Sequence, residues 1–309
     1  MSPAAILTQQ WNVWERTVEV YIRYLEDKGI FTKGIFGKLK TTLRDSGFSV
    51  CAKTGNGLND GIKMLDILMT ESSKIDASKW ISSGNCRVKL LTLHPELANN
   101  LAWKALFPKL LQVTQKGTGA GEIVLKMILK DVRKEKDQDV NASGIHIEIK
   151  TKNASIKAHG KERQSFRMTN EATKECGWLV KPRYSKLGIW EEKDLSLISK
   201  YISKVYDDWS IDVVNDVAKK VLSMAPDEAE QYFGGLILDR YRACDGFEMY
   251  VHMDERNGEA VVVSDFTDKD FILDNLKFTV TRRGNSTQAL ADGYAGASVR
   301  QLKKRKGNR

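Results

Sequence analysis

The chain has 309 residues, 41% hydrophobic and 29% charged, with a formal net charge of +9. That length and balance leave room for one large domain or two to three smaller ones. They speak against a membrane protein, since no apolar run approaches the roughly 20 residues that span a bilayer. Cys51, Cys86, Cys176 and Cys244 lie far apart with no C-x-x-C pair, which speaks against a zinc ribbon or a disulfide framework.

The opening MSPAAILTQQWNVWER has no basic stretch leading into an apolar core, so no secretion signal is expected and the setting is read as reducing and cytoplasmic. Residues 9–28 read as a helix: Trp11, Trp14, Val18, Tyr21 and Leu25 recur at 3,4,3,4 spacing and Gly29 supplies a stop. Its apolar stripe is expected to pack on the protein's own core, with a homodimer contact as the other use. The pattern then predicts a second helix near 35–44, a loop over TGNGLNDG (54–61), a helix through 64–69, a short strand over 86–91, and a helix opened by Pro95 that runs to about Val113. Residues 1–113 therefore read as a mainly helical N-terminal region, a candidate DNA-binding or dimer-contact segment.

The middle differs. GTGAG (117–121) reads as a loop, and EIVLKMILKDV (122–132) is apolar almost all round in its first turns, as a buried helix is. A turn at NASG leads into the strand IHIEIK. Helices are predicted over 192–209 and 211–224, and a third, short one from Pro226 to Gly234-Gly235. Strands return over 235–242, 247–253, 259–266 and 276–283, with Asn257-Gly258 as a hairpin turn signal. Helices, strands, helices and strands in that order argue an α+β fold with a mixed sheet flanked by helices.

GIHIEIK (144–150) carries the most chemistry. Ile145, Ile147 and Ile149 alternate with His146, Glu148 and Lys150, so one strand face is all isoleucine and the other bears an imidazole, a carboxylate and an ammonium. If the preceding turn is centred on Ala142–Ser143, Asp139 faces His146 across the hairpin and shares a face with Glu148 and Lys150. Asp137 lies on the same alternation. Carboxylates on one face repel unless a cation sits between them. Hard divalent ions bind through one or two carboxylates plus water and phosphate, and a lysine beside such an ion can orient a water and offset charge in a phosphoryl transition state. Glu-x-Lys is also common on any half-exposed sheet, so a purely structural pair is the competing reading. His146 is placed at the edge of the site, and His94 and His252 are read as structural.

Glu122, Asp139 and Glu148-x-Lys150 together resemble the PD-(D/E)XK superfamily of restriction-endonuclease-like nucleases. Its pattern is a helix carrying a Glu, then a hairpin with Asp on the first strand and (D/E)-x-K on the second. GTGAGE resembles the glycine-rich lead into that helix. The likeness covers residues 117–150, and the usual Pro before the Asp is Gln138 here. By resemblance, Asp139, Glu148 and the carbonyl of Ile149 ligate Mg²⁺, with Mn²⁺ able to substitute. Lys150 positions the water, and Glu122 completes a second metal position or holds a water.

Basic residues follow the motif. Lys152, Lys157, Lys161, Arg163 and Arg167 crowd the next stretch, and the tail carries Lys303, Lys304 and Arg305. These are candidate phosphate contacts that position a duplex without reading its sequence, the alternative being a solvated basic loop and tail. No P-loop and no G-x-S-x-G elbow occurs. The expectation is a helical region over 1–113, a nuclease core over 114–290 with a helical insertion at about 192–233, and a basic flexible tail over 291–309. The expected activity is that of a Mg²⁺-dependent DNA endonuclease. A non-catalytic DNA-binding or assembly protein of the same fold, and a nuclease acting on RNA, are the alternatives.

Overall fold

The structure is a computed structural model of the chain. It describes all residues except 1–2, 32, 55–56, 115–118, 134–139, 152–153, 158–194, 197–198, 200–201, 204–208, 283–294 and 303–309. The chain divides into two compact units, Met1–Lys152 with Phe247–Asp265, and Asn153–Gly246 with Phe266–Arg309. This cuts the chain differently from the expected boundary at 113/114. The reason is a shared core: Trp14, Leu39 and Leu68 of the N-terminal helices belong to the same apolar cluster as Ile147, Val251 and Val262 of the sheet.

In the first unit, α1 (Pro3–Lys28), α2 (Lys33–Thr54) and α3 (Gly57–Met69) pack together. The stripe predicted on α1 is the buried one: Trp14, Val18, Tyr21 and Leu25 are at most 2% exposed. Trp14 sets how closely the helices approach. A Cβ at Gly47 would fall 2.2 Å from its indole nitrogen, and one at Gly61 2.6 Å from its six-membered ring. Helix α3 starts at Gly57, inside the stretch expected to be loop. After α4 (Ala77–Ser82), β1 (Cys86–Lys89) and the single turns α5 (Leu90–Leu93) and α6 (Pro95–Ala98), the helix expected to run unbroken from Pro95 restarts as α7 (Leu101–Leu110). The break is a cap: the Asn100 side chain accepts the Trp103 N–H at 2.9 Å. His94 is buried and structural, accepting the Leu97 N–H at 3.4 Å and meeting the Ser73 carbonyl at 2.6 Å.

Glu71, on a single 3₁₀ turn, ties α1 to the chain at Asp131. It accepts from the Tyr24 hydroxyl at 2.7 Å and the Asp131 N–H at 3.2 Å, and pairs with Lys28 at 2.9 Å and Lys74 at 3.2 Å. Burial pulls its carboxyl upward, but Lys28, Tyr24, the Asp131 N–H and Lys74 outweigh that and hold it down at about 2.

Helix α8 (Ala120–Ile128) is buried all round, as its composition predicts, and leads to β2 (Val132–Arg133), β3 (Val140–Ala142) and β4 (Ile145–Thr151). β6 (Met249–Asp254) and β7 (Glu259–Val263) complete a six-stranded mixed sheet in the order β1-β7-β6-β4-β3-β2. β4 pairs antiparallel with β3 and parallel with β6. The architecture is α+β, as expected.

The second unit holds β5 (Ala154–Lys157), α9 (Ile211–Ser223), α10 (Pro226–Asp245), α11 (Lys269–Asn275), β8 (Leu276–Arg282) and β9 (Ala295–Gln301), the strands forming a sheet in the order β5-β9-β8. Part of the expected flexible tail is therefore a strand: Ala295–Gln301 pairs with β8 along its whole length. The strand expected over 235–242 is helical. α10 runs past Gly234-Gly235 and stops only at Gly246, whose φ of 71° suits a C-terminal cap. Buried Ile237, Leu238 and Tyr241 recur at helical spacing. Gly234 lets the helix press onto β8, where a Cβ would lie 2.0 Å from that of Phe278. The helix expected over 192–209 falls mostly outside the described residues.

Candidate active site

The site is built on β4 because its alternation leaves no other register. Ile147 and Ile149 are buried in the cluster that holds Ile123, Val124 and Met127 of α8 and Met249, Val251 and Met253 of β6. Helix α8 lies close against this face: a Cβ on Gly121 would meet Ile149 Cγ2 and Met253 Cε at 3.1 Å each. With the isoleucines committed to α8, Glu148 and Lys150 point to the other side of the sheet. A one-residue slip would exchange the two sets, burying the charges in the apolar cluster.

The turn ahead of β4 is not centred on Ala142–Ser143. The register pairs Val140 with Ile147, Asn141 with His146 and Ala142 with Ile145, so the turn residues are Ser143 and Gly144, with φ of 53° and 79°. A two-residue hairpin of this hand needs positive φ at both positions, and only a turn that includes Gly144 meets one of them without strain. Asn141, not Asp139, therefore stands opposite His146. Asp139 and Asp137 lie outside the described residues. His146 is half-buried at the start of the strand, its N–H donating to the Glu248 carboxylate at 2.7 Å, which keeps it at the edge.

Glu148 and Lys150 form an ion pair in which the ammonium donates to Glu148 Oε1. The carboxylate side chain is 8% exposed and the lysine 22%. Removing a carboxylate from water costs several kcal/mol unless a counter-charge is supplied, and Lys150 supplies it while keeping a path to solvent. Glu122 is buried on the first turn of α8 and pairs with Lys126, one turn on, at 2.5 Å. Lys126 also lies 5.8 Å from the centre of the Phe31 ring. The sequence did not mark Lys126 as a partner, although its i,i+4 spacing from Glu122 is the signal for one.

Beside the ion pair lies a second polar pair that sequence reading treated as structural or passed over. β6 runs parallel to β4 with Glu148 beside Tyr250 and Lys150 beside His252. Both β6 side chains are buried, at 0% and 1% exposure, and the Tyr250 hydroxyl meets His252 Nδ1 at 3.0 Å. Leaving either group unbonded there would cost roughly 1–3 kcal/mol. The signal was in MYVHM, where polar and apolar residues alternate as they do in IHIEI.

The oxygen donors on β4, the Glu148 carboxylate and the Ile149 carbonyl on the next residue, are the hard-ligand chemistry that suits Mg²⁺. Among the described residues no three acidic, histidine or cysteine side chains group together. Of the expected phosphate contacts, Lys157 lies on β5, where its backbone pairs with Gly296. Lys152, Lys161, Arg163, Arg167, Lys303, Lys304 and Arg305 lie outside the described residues. No helix among the described residues is long and apolar enough to cross a membrane. No family model, no curated protein and no solved structure matches this chain.

Proposed function

We propose that the chain is a metal-dependent nuclease that hydrolyses phosphodiester bonds, with DNA as its substrate and cleavage within the strand. The observation that carries this reading is the Glu148–Lys150 pair. A buried carboxylate and a partly solvated ammonium stand two residues apart on the second strand of a hairpin, which follows a helix bearing a buried glutamate. An ion pair kept only for stability has a simpler alternative, since well-packed apolar residues of similar volume serve as well or better in a buried position.

In this reading Asp139, Glu148 and the Ile149 carbonyl would hold a Mg²⁺ or Mn²⁺ ion; Glu122, on the helix packed against the isoleucine face and paired with Lys126, stands apart from Glu148 and is not needed for it. The bound ion supplies Lewis-acid charge at the scissile phosphate and makes a coordinated water more acidic. Lys150 turns its N–H groups from Glu148 toward the attacking water and the non-bridging oxygens, holding the nucleophile in line and offsetting the charge that develops there. The same ion would supply the counter-charge that lets Glu148 release Lys150.

The test is incubation with supercoiled plasmid. Wild type is expected to nick or cut in Mg²⁺ or Mn²⁺ and to stop in EDTA. Lys150→Ala is expected to lose two or more orders of magnitude in rate, the scale of one electrostatic stabiliser, while its DNA affinity in Ca²⁺ changes only a few-fold. Cleavage that persists in Glu148→Ala preparations free of contaminating nuclease overturns the assignment. A wild type inert on every DNA and RNA form points instead to a non-catalytic binding protein.

A further inference from the structure

We propose that Tyr250 and His252 are positioning residues that hold Glu148 and Lys150 in one arrangement from the neighbouring strand. The inference rests on the nuclease reading and extends it to a second pair of side chains.

Laterally paired residues on adjacent strands stand on the same face, with the strands about 4.8 Å apart. Tyr250 is therefore the lateral neighbour of the carboxylate and His252 that of the ammonium. Within each strand the two side chains also bond to each other, Glu148 to Lys150 and Tyr250 to His252. Four polar groups thus form a two-by-two patch on a sheet whose opposite face is wholly apolar at these strands.

The next strand shows that polarity is not required by the fold here. The residues of β7 paired with Tyr250 and His252 are Val263 and Val261, both fully buried. Along each row the sheet passes from valine to a polar ring to a charged side chain. A ring on β6 does two things an aliphatic side chain cannot do together. Its bulk limits the rotamers open to Glu148 and Lys150, and its hydrogen-bonding atoms add polarity to that face. The hydroxyl and the imidazole are bonded to each other, which fixes both on the face they share with Glu148 and Lys150. Phe247 in turn packs against the Tyr250 ring, centroid to centroid 6.3 Å, which fixes that ring. Preorganisation of this kind separates a site that is merely present from one that works.

The experiment compares Tyr250→Phe, His252→Leu and His252→Gln with wild type and with Val263→Ala, a packing control on the same face. Each protein is titrated calorimetrically with Mn²⁺ alone, assayed for kcat and KM on plasmid DNA in Mg²⁺, and unfolded in urea. Tyr250→Phe and His252→Leu are expected to lower kcat about tenfold with KM nearly unchanged, and to weaken Mn²⁺ binding several-fold. His252→Gln, which keeps a hydrogen-bonding partner for Tyr250, is expected to recover most of both. Val263→Ala is expected to lose stability and keep kcat and Mn²⁺ affinity. Variants that lose stability but match wild type in kcat and Mn²⁺ affinity overturn the inference alone, as does a His252→Gln no better than His252→Leu. A wild type that neither binds Mn²⁺ nor cleaves overturns the nuclease reading and the inference with it. Should Tyr250→Phe fail to fold, the two His252 variants decide.

Discussion

The Glu148–Lys150 pair makes a prediction about stability that bears directly on function. Replacing Lys150 with methionine keeps most of its volume and removes its charge, leaving a carboxylate of 8% exposure without its partner. Two unit charges about 4 Å apart attract by about 4 kcal/mol at an effective dielectric of 20. Breaking a fully buried pair costs about 3–5 kcal/mol and an exposed one about 0–1. Because Lys150 is 22% exposed, so that water reaches the gap, Lys150→Met should cost about 2 kcal/mol. Glu148→Gln should cost less, about 1 kcal/mol, because the ammonium left behind can turn to solvent. The double variant leaves no charge to strand and should fall within about 1 kcal/mol of wild type, giving a coupling of about 2 kcal/mol between the two positions. The assay is urea unfolding at neutral pH, with hydrogen exchange over residues 145–151 reporting on the sheet itself. Single variants whose effects simply add, or a Lys150→Met cost below about 0.5 kcal/mol, would show that the ammonium is not what lets the carboxylate stay buried. A stable double variant that does not cleave would separate the pair's role in activity from any role in folding.

Two further outcomes follow from other parts of the chain. The Glu71 carboxyl, held at about 2 against an ordinary value of 4.5, is depressed in the folded state, so its contribution is present above about pH 4.5 and lost as pH falls toward 2. With the side chain 31% exposed, solvent screening reduces that contribution to about 1–2 kcal/mol. Glu71→Gln should therefore be less stable than wild type at neutral pH and converge with it near pH 2–3, and a gap independent of pH in acid unfolding curves would refute the charge argument. Removing residues 303–309, which carry Lys303, Lys304, Arg305, Lys306 and Arg309 and lie beyond β9, should weaken DNA binding with little regard to sequence and flatten its dependence on salt. An unchanged salt slope would mean the tail is merely solvated.

Local periodicity was enough to determine much of this protein. The 3,4 spacing of Trp14, Val18, Tyr21 and Leu25 named the buried face of α1, and the alternation of IHIEIK named a strand, its apolar side and the two charges on the other. Those readings hold because a side chain's direction along a helix or strand depends only on its own few neighbours. The hairpin centre was misplaced by one residue because the competing turns differ only in which residues take positive φ, and Gly144 decides that. Residues 235–242 looked like a strand because Gly234-Gly235 reads as a break and a short apolar Leu-Ile-Leu run follows. What made them helical was distant, the packing of Gly234 on Phe278. The same holds for the candidate site. The sequence could place Glu148 beside Lys150, but not Tyr250 and His252 beside both, because which strand lies next to β4 is settled by contacts between segments about a hundred residues apart. Chain connectivity specifies alternation within a strand. Only the burial of both apolar faces in one core selects its neighbour, and with it the residues that share the site.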